Sequence, residues 1–252
     1  MNGVPALETR ALSKNFGALQ VSQNIDFRLM AGARHALIGP NGAGKTTLVN
    51  LMTGVLKPSS GQVFLAGADV TGLPQAARVK AGIARTFQIN QLYRGLTVLE
   101  NVCMAIAERI GIGGQLFRPV GSQRRMIEEG MAILDSLKLA DDAARLIREL
   151  PYGRQRLVEI AIALGIKPKV LLLDEPAAGV PTAESHVLLD VIESLPADIA
   201  MLIIEHDMDV VFRFAREITV LVAGEVLTVG TPQQIAANER VQEVYLGRRH
   251  HG

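Results

Sequence analysis

The sequence predicts an α/β fold, and three features carry that reading. A short apolar run, "RHALIG", passes through a glycine-rich turn into the helical stretch "KTTLVNLM", giving strand, loop and helix in succession. From Lys169 onward strands and helices alternate, as "KVLLLDE", "TAESHVLLDVIESL", "IAMLIIEH" and "EITVLVAGE", the pattern of a sheet covered by helices. Ahead of the turn, short β-like runs open the chain, so its N-terminal part reads as an antiparallel β portion.

Each element has a local reason. "ALETRALSKNF" and "NIDFRLM" are the opening β runs, "GQVFLAG" alternates as a strand, and "AGIARTFQ" reads as a strand entering a loop. The character changes to helix from about residue 97 to 165. In "TVLENV", Thr97 is placed as N-cap with Glu100 three residues on, the arrangement of a capping box. "QRRMIEEGMAILDSLKL" has helical periodicity, and its charged "QRRMIEE" is the wet face of that helix. "LPYGRQR", residues 150–156, stands directly before the apolar-periodic "LVEIAIAL". A helix start offers unpaired N–H groups and a positive dipole end, so a glycine and two arginines there point to an anion nearby. The closing "TPQQIAANERVQEVYLG" begins with a second capping box, Thr231 to Gln234, with Pro232 at the first helical position. No tandem repeat, low-complexity tract or long charge block interrupts the chain.

Composition narrows the function. The 252 residues are 48% hydrophobic, enough for a sizeable core. Lys plus Arg, 26, nearly cancels Asp plus Glu, 25, so there is no bulk cationic field of the kind that binds nucleic acid without sequence preference. No apolar stretch is long enough to span a bilayer, and "MNGVPALETR" lacks a signal-peptide core, so a cytoplasmic location is expected. The single cysteine, Cys103, lies in helical "VLENVCMAIAER" and reads as a core thiol in a reducing compartment. The histidine pair near the C-terminus reads as tail.

Two motifs carry chemistry. "GPNGAGKTT", Gly39 to Thr47, fits the phosphate-binding loop pattern and lies between the strand and helix that this pattern requires. Gly42 and Gly44, with Gly39, Asn41 and Ala43 around them, let consecutive N–H groups curl about a phosphate. Lys45 reaches the β- and γ-phosphates, and the Thr46 hydroxyl, beside Thr47, is a ligand for Mg2+. "VLLLDE" then supplies Asp174 to hold the magnesium and Glu175 to polarise an attacking water. An acidic pair after a strand is by itself a common surface turn; with the loop at 39–47 it reads as a hydrolytic site.

In this order and spacing, "GPNGAGKTT", "TFQ", "LPYGRQR", "LLLDEP" and "IIEHD" resemble the ATPase subunit of ATP-binding-cassette (ABC) transporters, and the resemblance covers essentially the whole chain. It implies a single domain over residues 1–252, with a RecA-like nucleotide-binding core at 1–92 and 166–252 and a helical subdomain at 93–165. It implies that Gln88 contacts magnesium and senses the membrane partner, that His206 reads the γ-phosphate, and that Phe16 stacks on adenine. Each has a plainer alternative, a loop amide, a cap contact and a core ring. ATP and Mg2+ are the implied ligands. Transmembrane permease subunits, a second ATPase subunit and, indirectly, a periplasmic solute-binding protein are the implied partners, with the chain peripheral on the cytoplasmic face of the membrane and no nucleic acid involved. The segment "INQLYRG" would take part in the groove for a coupling helix, with a local hydrophobic staple as the alternative.

The family's ATPases pair head to tail, so the signature segment of one closes over the nucleotide of the other. By that resemblance the anion at "LPYGRQR" belongs to the partner, and Gly153 and Arg154 are placed near it. The common signature is Leu-Ser-Gly-Gly-Gln; here Pro151 stands for the serine, Tyr152 for a glycine and Arg154 for the glutamine. Pro151 has neither hydroxyl nor N–H. "AAGVP" likewise ends in Pro181 where the family usually has an aspartate. "AAG", the Tyr-Gly signature and "VQEVYLG" resemble subunits of branched-chain-amino-acid-type importers. A lipopolysaccharide-export-type ATPase, a soluble ABC ATPase acting on DNA or ribosomes, and a regulatory nucleotide-binding subunit without turnover are the alternatives.

Overall fold

The computed structural model describes residues 3–86, 92–112 and 120–246. In chain order the elements are β1 (Leu7–Phe16), β2 (Leu19–Leu29), β3 (Arg34–Ile38), α1 (Lys45–Thr53), β4 (Ser60–Leu65), β5 (Ala68–Asp69), α2 (Gln75–Ala81) and β6 (Ile83–Thr86). They continue as α3 (Val98–Arg109), α4 (Val120–Ser136), α5 (Tyr152–Gly165), β7 (Val170–Asp174), α6 (Thr182–Glu193), β8 (Ala200–Ile204), α7 (Met208–Phe214), β9 (Glu217–Val222), β10 (Glu225–Gly230), α8 (Pro232–Ala236) and α9 (Glu239–Leu246). Two compact units divide the chain: residues 1–83, 169–175 and 197–252 form one, and residues 84–168 and 176–196 the other.

The first unit holds two sheets. An antiparallel sheet of order β2-β1-β4-β5 comes from the opening β runs, and a six-stranded sheet has the order β10-β9-β3-β8-β7-β6, β6 contributing Ile83 to this unit. Strands β7, β8, β3 and β9 run parallel, and β10 pairs antiparallel with β9. Every residue of β7 and β8 is buried, which is why "VLLLD" and "AMLII" are unbroken apolar runs rather than alternating ones. Leu48, Val49, Leu51 and Met52 of α1 join Leu12, Phe27, Leu37, Leu172, Leu202 and Leu221 in one core cluster. That packing fixes the helix following the phosphate-loop pattern against the sheet.

The far end of α1 is secured by a residue whose role the sequence does not announce. Arg78 on α2 is fully buried, and its guanidinium donates to the carbonyls of Leu51 (2.7 Å), Met52 (2.8 Å), Thr71 (2.8 Å) and Leu73 (3.1 Å). Those at 51 and 52 belong to the last turn of α1, where carbonyls lack helical partners and a cation is favoured. The "AGIARTFQ" segment begins its strand two residues later than its sequence predicts, and its Phe87 and Gln88 lie outside the described residues. Ala81 ends α2, Gly82 closes that helix with a left-handed turn at φ +115°, and Ile83–Thr86 is the strand among the described residues. Helices α2 and α7 and strand β10 also stand where no element is predicted.

In the second unit, α3 and α5 pack together with α4. The capping box at the start of α3 forms as its residues require: Glu100 N–H donates to Thr97 Oγ1 at 3.2 Å and Thr97 N–H to Glu100 Oε2 at 2.7 Å. Cys103 is buried on α3, and burial pushes its thiol pKa up, so it is an inert core thiol. The capping box at Thr231 and Gln234 forms in the first unit, with Pro232 opening α8.

One buried titratable group sets an acid limit on the fold. His35, 1% exposed, bonds through Nε2 to Thr219 Oγ1 at 2.8 Å, and its Nδ1 lies 3.1 Å from Glu217 Oε2. Desolvation lowers its pKa to about 4. The Glu217 carboxylate does not reverse this, being 53% exposed and solvated. The folded value lies below the unfolded value of about 6.5, so the unfolded chain binds the extra proton first. Stability is therefore expected to be complete above pH 6.5 and to fall by up to about 3 kcal/mol as pH drops to 4. Urea unfolding across that range checks it, and His35→Gln should flatten the slope; an equal slope in the variant would refute the assignment.

Candidate functional site

Three consecutive neighbours in the larger sheet, β3, β8 and β7, end at the same edge and deliver the motif residues there. The carboxyl edge of a parallel sheet is where ligands of α/β folds bind, because loops leave it and helix N-termini point at it. The 39–47 loop leaves β3, the pair Asp174 and Glu175 ends β7, and Glu205 and His206 follow β8.

The loop is held by its own backbone. Gly42 and Gly44 have φ of +80° and +98°, and a Cβ on Gly44 would also come within 2.8 Å of the Val21 carbonyl oxygen. Glycine is demanded there by both conformation and space. Ala43 is buried and donates to the Pro40 carbonyl at 3.1 Å, while Gly224 N–H donates back to the Ala43 carbonyl at 3.0 Å. Asn41 and Gly42 are exposed at the tip. Thr46, exposed, and Thr47, half-buried, lie in the first turn of α1.

Lys45 Nζ donates to the carbonyls of Gly39 (2.6 Å) and Pro40 (3.1 Å), so the ammonium is folded into the loop that it follows. Burial lowers its pKa, and the charges of Glu175 and Asp174 oppose that shift. The ammonium is half-buried against the Gly39 and Pro40 carbonyls. Left-handed glycines, a helix start and a desolvated cation with carboxylates alongside fit a phosphate chain and a divalent cation.

Asp174 is buried at the end of β7, and Glu175 takes a left-handed φ of +45°. A non-glycine residue pays about 1–2 kcal/mol for that conformation. The Glu175 N–H donates to the Ile204 carbonyl at 2.9 Å, which ties the strained residue to β8. His206, 67% exposed, brings Nδ1 to 3.5 Å from Glu175 Oε1, and its own N–H donates to Glu205 Oε2 at 3.2 Å. Asp207 caps α7, accepting from the Asp209 N–H at 2.9 Å, so the cap contact belongs to Asp207 and leaves His206 on the Glu175 side. Glu205 is a buried carboxylate that the sequence reading passed over, although its place immediately before His206 was a signal. Phe16 is no core ring: it is 49% exposed at the end of β1, with Lys14 Nζ 5.1 Å from its centroid. Gln88 and the start of "INQLYRG" lie outside the described residues; of that segment's described part, Leu92 is buried and Tyr93 exposed.

The "LPYGRQR" segment, in the second unit, forms the start of α5 as expected, with Pro151 as N-cap and no side-chain cap. Several of its donors are engaged within that unit. Gly153 N–H donates to Glu184 Oε2 at 3.1 Å. Arg154 is ion-paired with Asp142 and also donates to the Lys138 carbonyl at 3.1 Å. Arg156 is buried, bonds Glu159 at 2.9 Å and lies over the Tyr152 ring at 5.0 Å. Both arginines are ion-paired within the second unit. Asp142, Glu159 and Glu184 are contacts that no motif marks.

Comparison with known proteins agrees with this geometry. The ABC transporter family model matches residues 22–178, and a model described as branched-chain amino acid ATP-binding cassette transporter matches residues 225–251. The chain is 37% identical over 250 residues to the high-affinity branched-chain amino acid transport ATP-binding protein LivG of Escherichia coli (strain K12), covering 96% of this chain and 98% of that protein. It is 35% identical over 250 residues to the corresponding protein BraF of Pseudomonas aeruginosa, again covering 96% and 98%. Among solved structures it is similar to the ADP conformation of an ATP-binding cassette of an ABC transporter, at 33% identity and a TM-score of 0.84, covering 96% of this chain and 99% of that one.

Removing the loop cation tests the phosphate assignment directly. Lys45→Ala is expected to weaken ATP binding about ten- to hundredfold, the worth of one charge-assisted contact. Titration calorimetry measures it; an unchanged affinity would contradict the role of this loop.

Proposed function

Because the chain belongs to the ABC transporter family, as one of its ATPase domains, we propose that it hydrolyses MgATP to drive import of branched-chain or related amino acids. The observation that carries the catalytic reading is the meeting of Glu175, His206 and Lys45 at one sheet edge, with His206 Nδ1 3.5 Å from Glu175 and Lys45 in the field of that carboxylate. The solute class rests on the names of the relatives and on the C-terminal match at 225–251.

The residues divide the work. Loop N–H groups from Gly39 to Thr47 and the Lys45 ammonium bind the phosphates, and Phe16 offers an exposed ring for the adenine. Thr46, Asp174 and Gln88 would hold Mg2+, Gln88 on the strength of the motif alone. When bound, Mg2+ neutralises charge on the phosphates. Glu175 aligns the attacking water and draws its proton, and its left-handed backbone sets that carboxylate at the end of β7. His206 stabilises charge at the γ-phosphate from beside Glu175. The chain works on the cytoplasmic face with transmembrane permease subunits and a second ATPase subunit, and a periplasmic binding protein delivers the solute.

The two composite sites of such a pair are unequal in this reading. Phe16, Lys45, Thr46, Asp174, Glu175 and His206 act on the nucleotide held by this chain. The two segments offered to the partner's nucleotide have Pro151, at the start of α5, and Pro181, at the start of α6, and Arg154 and Arg156 are paired with Asp142 and Glu159. The site on this chain's own phosphate loop is therefore the faster one. A lost phosphate donor is worth about 1.5–3 kcal/mol, or roughly ten- to hundredfold in rate when realised in the transition state.

In the reconstituted transporter, Glu175→Gln is expected to keep ATP binding and to cost about a hundredfold or more in steady-state hydrolysis. The matching glutamine variant of the partner subunit should cost less. Near-normal turnover of Glu175→Gln would refute its assignment, and equal losses from the two variants would refute the inequality.

A further inference from the structure

The hydrogen bond between Gly153 and Glu184 spans 31 residues of sequence and joins two functional segments within the second unit. Gly153 belongs to the turn that opens α5. Glu184 lies in the first turn of α6, at the end of the segment Pro176–Glu184 that follows Glu175 directly in the chain. A second contact reinforces the first. Gly179, at φ +73°, lies beneath the Tyr152 ring, a Cβ there coming within 3.4 Å of Tyr152 Cε1, and Arg156 covers the ring from 5.0 Å.

We propose that Glu184 is a positioning residue: it clasps the signature turn to the segment that follows the catalytic glutamate, so that the two move as one piece. This rests on the reading above, in which that turn faces the partner's nucleotide. A carboxylate accepting an N–H at a helix start is a charge-assisted bond aided by the helix dipole. The space is made for it, since a Cβ on Gly153 would collide with Glu184 Oε2 and close to 3.3 Å on Val180 Cγ1. A larger residue at 153 would have to displace the carboxylate from the N–H it accepts. Pro151, as N-cap, offers no hydrogen-bonding side chain to cap the turn, which makes Glu184 its external anchor. Through the clasp, events at Glu175 on this chain's own nucleotide reach the turn over the partner's.

The test uses the reconstituted transporter, with ATP binding measured on the isolated chain in parallel. Glu184→Ala is expected to lower the kcat for ATP hydrolysis about tenfold, the worth of one charge-assisted bond, while the chain's own ATP affinity and melting temperature stay near those of the unaltered protein. Glu184→Gln, which keeps an acceptor oxygen at the same reach, should recover most of the rate. Gly153→Ala should also slow turnover and should add little to Glu184→Ala, because the group it displaces is already gone. Unchanged kcat in Glu184→Ala, or no recovery in Glu184→Gln, would overturn the proposal. So would a rate loss matched by lost ATP affinity, which would mark a merely structural contact. Failure of the hydrolytic reading itself would show separately, as normal turnover in Glu175→Gln.

Discussion

The turn from Gly39 to Lys45 is the constraint on which the rest of this molecule depends. Left-handed glycines at 42 and 44 bend the chain away from β3, and Lys45 closes the bend by donating to the carbonyls of Gly39 and Pro40. An ammonium satisfied by two carbonyls tolerates partial burial, and in the proposed function it exchanges those carbonyls for phosphate oxygens. The surrounding structure serves to hold this turn still. Gly224 N–H grips the Ala43 carbonyl from the β9–β10 turn, the apolar face of α1 packs into the core, and Arg78 clamps the other end of α1.

The second constraint is the left-handed backbone at Glu175. A residue held in that conformation costs stability and persists only where neighbours fix it, here through its N–H on β8. The strain sits at the residue proposed to align water, one position after buried Asp174 and beside His206. It also begins the segment whose far end, Glu184, grips Gly153. The start of α6 and the turn that opens α5 are thereby joined by one hydrogen bond.

Legibility in the sequence followed the range of the interactions. The phosphate loop, both capping boxes and the buried parallel strands were readable because each is written in a few consecutive residues: glycine spacing, Thr with Glu or Gln three residues on, or an unbroken apolar run. Arg78 was not readable, since a buried guanidinium capping a helix 26 residues away leaves no local pattern. The partners of the arginines at the start of α5 were not readable either: Arg154 pairs with Asp142, 12 residues back, and Arg156 with Glu159 beside the Tyr152 ring. Helix α2 was missed because its seven residues are too few to show a period, and Gly82 closes it just before the strand the sequence did show.

In the proposed function this chain binds its own nucleotide and its partners supply what closes the site. The direct measurement is the rate of ATP hydrolysis per chain, first for the isolated protein at rising concentration and then for the same protein assembled with its membrane subunits and second ATPase. The account predicts a low rate for the isolated chain and a rise of about tenfold or more on assembly, abolished by Glu175→Gln in this chain. A rate already maximal in the isolated chain at low concentration, unaltered by assembly, would contradict it.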